Sequence, residues 1–243
     1  MFDYDRLLSP TVTSLKKSGI RKFFDLLEEM DDVVSLTVGQ PDFVTPWHIR
    51  EAGIESLERG KTYYTSNAGT LDLRREISAY LLRRFGLVYD PKKEIIVTIG
   101  GSEAIDMTIR TLVTPGDEVI IPEPCFVCYE PLVRMAGGVP VIVDTSAEDK
   151  FKLTPEKLAA AITPRTKLLV LAYPNNPTGA VMTREDLEGI AEVLRPTNIA
   201  ILSDEIYAEL TFGFRHTSIA SLPGMRERTI LASGFSKAYA MTG

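Results

Sequence analysis

The chain has 243 residues, 44% hydrophobic and 25% charged, the profile of an ordinary folded protein long enough to bury a sizeable core. Its net charge of −6 argues against nucleic acid or an anionic membrane surface as a partner. No stretch nears the roughly 18 uninterrupted apolar residues of a membrane span, and the N-terminus MFDYDRLLSPTVTSLKK has early acids and no apolar core, unlike a secretory signal; the expected location is the cytoplasm.

In chain order, a helical stretch is expected over about 15–30, then the segment VVSLTVGQPDF, then amphipathic helices near 47–59 and 70–85. Residues 1–45 read as an N-terminal arm and lead-in, and Trp47 reads as packing. From residue 95 short apolar runs alternate with helical stretches. Strands are expected at 95–99, 118–122, 139–144, 167–173, 198–203 and 229–233, and helices at 102–113, 126–136, 155–162 and 183–194. Most runs are unbroken Val, Ile and Leu, as in strands buried on both faces. Thr154-Pro155 opens one helix with a cap and a first-turn proline, and Thr183 with Asp186 opens another as a capping box. This alternation predicts an α/β fold over 46–243: three layers, with a mostly parallel sheet between helices.

Ligands of open α/β sheets bind beyond the carboxyl ends of the strands, so the residues after each run carry the functional reading. After 95–99 comes GGSEA, where Gly100 and Gly101 allow a tight turn and Ser102 stands as a helix cap. A helix N-terminus beside glycines suits a phosphate, and equally an ordinary strand-to-helix turn. After 167–173 comes PNNPTG, a turn offering the amide of Asn175 or Asn176. After 198–203 comes DEIY, where Asp204 needs a cation or helix-capping donors and Tyr207 follows three residues on. After 229–233 comes GFSKAYAMTG, whose Lys237 faces solvent or serves as a nucleophilic amine.

Cys125 and Cys128 form a C-x-x-C pair, the spacing of a redox pair or half a zinc site. Zinc would need two more ligands, and His48 and His216, both distant in sequence, are the sole histidines; two reduced thiols is the reading carried forward.

A phosphate cradle, an amide, an acid with a tyrosine, and a lysine at strand ends of one sheet share one explanation: pyridoxal 5′-phosphate (PLP). The acid would keep the ring nitrogen protonated, the tyrosine and asparagine would bond the ring hydroxyl, and the lysine would hold the aldehyde.

SLTVGQPDFVTP, YTSNAGTLDLR, GGSEA, YPNNPTG, SDEIY and GFSKAYAMTG, in that order and spacing, resemble the class I/II aminotransferases of PLP fold type I, closest to the aminotransferase A branch with its proposed N-acetyl-diaminopimelate enzymes. The resemblance implies that Lys237 binds the cofactor and moves the substrate proton, and that Asp204 pairs with the pyridinium. It implies that Tyr207 and Asn176 bond the ring oxygen and that Phe126 stacks on the ring. Gly101, Ser102 and Glu103 match the phosphate turn, with Ser236 adding a hydroxyl. Tyr64 matches a tyrosine that reaches the neighbouring subunit's phosphate, implying a homodimer with shared sites. Gly39 matches a loop near the substrate carboxylate, where Asn176 also lies.

Family members continue past the lysine with Gly-x-Arg, whose arginine binds the phosphate, and with a C-terminal small domain whose arginine clamps the substrate carboxylate. This chain ends at Gly243, so the resemblance implies a truncated large domain without the small domain, expected to be inactive alone. The function implied is ping-pong amino transfer between an L-amino acid (aromatic, acidic or N-acetyl-diaminopimelate-like) and a 2-oxo acid. The alternatives are a PLP-dependent β-lyase or decarboxylase, or a non-catalytic effector-binding module. Apart from PLP, no metal is expected.

Overall fold

A computed structural model describes residues 3, 6–15 and 39–243. The helix expected over 15–30 and the VVSLTV segment fall, but for Leu15, outside the described residues. A single helical turn, α1 (Pro10–Ser14), opens on a proline at its first position.

Among the described residues, two helices lie between α1 and the 95–99 run. The helix α2 (Trp47–Glu58) buries none of its side chains, and α3 (Leu71–Phe85) buries Arg74 and Leu81. Thr70 caps α3 by accepting the Leu73 amide, and Gly86 ends it in the left-handed conformation at φ 71°. Trp47, read as packing, is 59% exposed, with the Arg50 guanidinium over its ring.

The sheet has five strands among the described residues: β1 (Glu118–Glu123), β2 (Val139–Asp144), β3 (Thr166–Ala172), β4 (Ala200–Asp204) and β5 (Thr229–Ala232). All pair in parallel, in the order β2-β1-β3-β4-β5. The run at 95–99 is no strand, against expectation. Ile96 and Ile99 are exposed, and Val97 spends its amide on the Ala68 carbonyl. Apolar composition alone does not make a strand; a neighbour must supply the ladder.

Helices cover both faces. The helices α4 (Gly100–Leu112) and α5 (Tyr129–Met135) pack Ile105, Ile109, Tyr129 and Val133 against Val119, Ile121, Leu168, Val170 and Leu202. On the other face α6 (Pro155–Ala161) and α7 (Arg184–Leu194) bring Leu158, Leu187, Ile190 and Leu194 against Ile120, Leu169, Leu171 and Ile201. Side chains alternate along each strand, so the two sets interleave by residue number. The expected caps form: Thr154 accepts the Lys157 amide, and Thr183 and Asp186 close a capping box. The chain therefore has the expected three layers around a parallel sheet.

Candidate active site

The strand order reverses at β1, whose neighbours β2 and β3 both follow it in sequence, and the carboxyl ends of β1, β3, β4 and β5 open on one edge. The alternation that builds the core also aims the site residues. Asp204 shares its parity with Leu202 and so projects toward α4 and α5.

There the Tyr129 hydroxyl donates to Asp204 Oδ2 at 2.7 Å, and the Ile206 amide donates to Oδ1 at 3.2 Å. Burial pushes the Asp204 carboxyl above its ordinary range and the Glu205 charge adds to that, against the lowering by these two donors. Among the described residues no cation pairs with it. Asp204 ends β4 and caps only a local turn; Tyr207 follows as the lead residue of a short 3₁₀ turn, Ala208–Leu210.

Tyr129 is a partner of Asp204 that the sequence reading did not name. Its partner lies 75 positions away, and the stretch around it drew notice for its cysteines. Phe126 meets the Tyr129 ring edge-on at 6.1 Å and 84°, which sets it beside the acid. Burial pushes both flanking thiols, Cys125 and Cys128, up to about 12, so they are protonated at neutral pH. No group of three or more metal-ligating side chains occurs among the described residues.

Lys237 lies in the short helix α8 (Phe235–Ala238), just past β5. Its Nζ donates to the Gly39 carbonyl at 2.6 Å and sits 5.6 Å from the Tyr207 ring centroid. Thr45 donates to the Ala240 carbonyl at 2.5 Å, so the lead-in segment lies across the lysine turn. Gly39 and Tyr207 are thus brought to Lys237, and Ser236 precedes it in the same turn.

The two asparagines part company. Asn175 is buried; its Nδ2 donates to the Pro124 and Ala172 carbonyls at 3.2 and 3.4 Å, and its Oδ1 accepts from the Thr178 amide and hydroxyl at 3.1 and 2.8 Å. Asn176 is exposed.

The phosphate turn departs from expectation at Ser102. The helix begins at Gly100, with φ 78°, so Ser102 lies inside the first turn and caps nothing. The Glu103 carboxylate folds back to accept the Ile99 amide, so it turns away from any anion. The backbone amides of Gly101 and Ser102 stand in the first turn, where no earlier carbonyl of the helix reaches them. Tyr64 is fully exposed and is not brought to the site by its own chain.

These groups fit PLP: a part-buried carboxyl without a cation among the described residues for a protonated ring nitrogen, free amides at a helix start for a phosphate, and an amine beside an aromatic ring.

Comparison with known proteins identifies the family. The family profile "Aminotransferase class I and II" matches residues 31–243. The Bacillus subtilis (strain 168) protein YugH, whose name places it among aminotransferases, is 57% identical over 236 residues, covering 97% of this chain and 61% of YugH. "Aromatic-amino-acid aminotransferase 2" of Thermococcus litoralis is 44% identical, over 97% of this chain and 61% of that protein. The solved structure of "aspartate aminotransferase from Thermus thermophilus with maleate" superposes with a TM-score of 0.92 at 42% identity, over 97% of this chain and 62% of that one. The chain thus spans about three-fifths of the length of these relatives.

Proposed function

The chain belongs to the class I and II aminotransferases, and we propose that its strand-end site holds PLP for ping-pong transfer of an amino group between an L-amino acid and a 2-oxo acid. The observation that carries this is Asp204: a part-buried carboxylate, held by two neutral donors, without a cation among the described residues, on the strand next to the one that leads to Lys237.

When bound, PLP with a protonated ring draws electrons from the substrate α-carbon. The residues serve that chemistry as follows. Asp204 keeps the proton on the ring nitrogen, and Tyr129 keeps Asp204 oriented. Lys237 supplies the amine and moves the proton at the substrate α-carbon. Tyr207 and Asn176 bond the ring oxygen, and Phe126 covers one ring face. The Gly101 and Ser102 amides, with the Ser236 hydroxyl, take the phosphate, and Glu103 contributes only through its backbone. The Gly39 carbonyl must release the lysine when the cofactor arrives, which leaves Gly39 at the substrate carboxylate.

The substrate is an aromatic, acidic or N-acetyl-diaminopimelate-like amino acid; relatives named for aromatic amino acids and for aspartate support that range. The working enzyme is a cytoplasmic homodimer in which Tyr64 reaches the partner's phosphate, supported by its full exposure here.

Incubation with PLP, borohydride reduction and peptide mapping test the cofactor assignment. The expected label is on Lys237 alone, and a label on another lysine overturns it. Turnover that depends on a 2-oxo acid distinguishes transfer from β-elimination, which releases ammonia without one.

A further inference from the structure

Behind Asp204, on the opposite face of the sheet, lies a second cluster of polar groups that the transfer chemistry does not use. Glu205 is 2% exposed and shares its parity with Ser203 and Ile201, so its side chain leaves the strand toward the α6/α7 face. Its Oε1 accepts from the Ser218 hydroxyl at 2.6 Å and from the Ser203 hydroxyl at 2.9 Å; its Oε2 lies 2.8 Å from His216 Nε2. Ser218 is completely buried and His216 is 7% exposed, its ring packed edge-on against Phe85 of α3 at 5.9 Å.

A buried carboxylate is costly unless each oxygen is bonded, and here each is. The cavity beside the cluster, lined by Ser203, Glu205, His216 and Thr217, measures about 10 Å³, room for one water at most. No ligand enters there, so the cluster acts on the protein itself.

Its backbone shows on what. The Glu205 amide donates to the Ala232 carbonyl at 2.8 Å, tying the end of β4 to the end of β5 that leads to Lys237. The Asp204–Glu205 peptide is therefore fixed by side chains on both faces of the sheet and by β5 along its edge.

Resting on the PLP reading above, we propose that Glu205, with His216, Ser203 and Ser218, is a positioning unit that anchors the end of β4 from behind and so aims the Asp204 carboxylate at the cofactor ring. The unit touches neither substrate nor cofactor. Its function is to keep the acid from swinging away from the ring nitrogen, by fixing from behind the strand end whose carboxylate the Tyr129 hydroxyl and the Ile206 amide hold in front.

The test is a mutant cycle on the full gene product, read as PLP affinity by absorption titration and, without cofactor, as hydrogen exchange of the Ile206 amide. Glu205→Ala should weaken PLP binding about 10-fold and Ser218→Ala about 3-fold, in keeping with coupled groups of one network. Glu205→Gln, which can still accept from both serines, should recover most of the loss. In an Asp204→Asn background the same changes should alter affinity less than about 2-fold, because there is no longer a charge to aim. Equal losses in both backgrounds, or a Gln variant as weak as Ala, overturn the proposal. If Glu205→Ala does not fold, the milder Ser218→Ala carries the same comparison. If the unmodified protein takes up no PLP, the functional reading fails by itself. The anchor then stands or falls on the Ile206 amide, whose exchange should accelerate in Glu205→Ala and whose constancy would refute it.

Discussion

At the scale of single residues, the role proposed for Asp204 sets function against stability. Burial raises its pKa in the folded protein, so folding favours the neutral acid. The sign follows: for a group with a raised folded value, stability is complete below the unfolded value, about 3.9 for aspartate, and is lost as pH rises through the folded one. Asp204→Asn removes that loss while keeping a side-chain oxygen for Tyr129. Without cofactor, the variant should melt higher than the parent at pH 8 and equally at pH 3, while its PLP-dependent transfer falls by orders of magnitude. A parent more stable than the variant at pH 8 would show that the carboxylate is paid for by something other than the two neutral donors seen here. Asp204 and Lys237 were singled out in the sequence because each comes soon after an apolar run, where a charge needs a reason. Tyr129 and Glu205 were not, because their partners are set by packing between elements distant in sequence.

At the scale of elements, the loop after β3 sets a buried, hydrogen-bonded asparagine beside an exposed one. Asn175→Ala breaks four hydrogen bonds of a buried amide and should cost about 2–3 kcal/mol in urea denaturation. Asn176→Ala, at an exposed position, should leave that midpoint unchanged and weaken PLP binding. The reverse pattern would exchange their roles. The capping box of α7 gives a smaller expectation: Thr183→Ala should cost about 1 kcal/mol by the same measurement, since the Asp186 amide loses its acceptor. The strands and these caps were readable because their signals are local: β1 is buried along nearly its whole length and β3 through its centre, and Thr183 and Asp186 are three apart. The 95–99 run carries the same apolar signal, yet pairing is a property of two segments and one sequence window sees only the first. Ser102 misled for a related reason. A serine near a helix start has the chemistry of a cap, but the positive φ of Gly100 lets the helix begin two residues earlier.

At the scale of the molecule, the lead-in and α2 leave apolar surface uncovered: Phe43, Trp47, Ile54, Leu57, Tyr63 and Tyr64 are all about half exposed or more, and α2 buries nothing. Side chains of this kind clustered in one stretch mark an interface rather than ordinary surface. If that interface joins two copies and carries Tyr64 into the partner's site, two damaged chains should repair one another. Lys237→Ala lacks the amine, and Tyr64→Ala lacks the phosphate contact it would lend. In a mixed dimer, the site that keeps its lysine lies on the Tyr64→Ala chain and receives its tyrosine from the Lys237→Ala chain, so one site per mixed dimer is native. Co-refolded full-length variants should therefore show transfer activity well above the sum of the two measured apart, with PLP affinity in the restored site equal to the parent's. Activity equal to the sum, although mixed dimers are present by mass, would mean that Tyr64 acts within its own chain or not at all. The exposed face would then need another occupant.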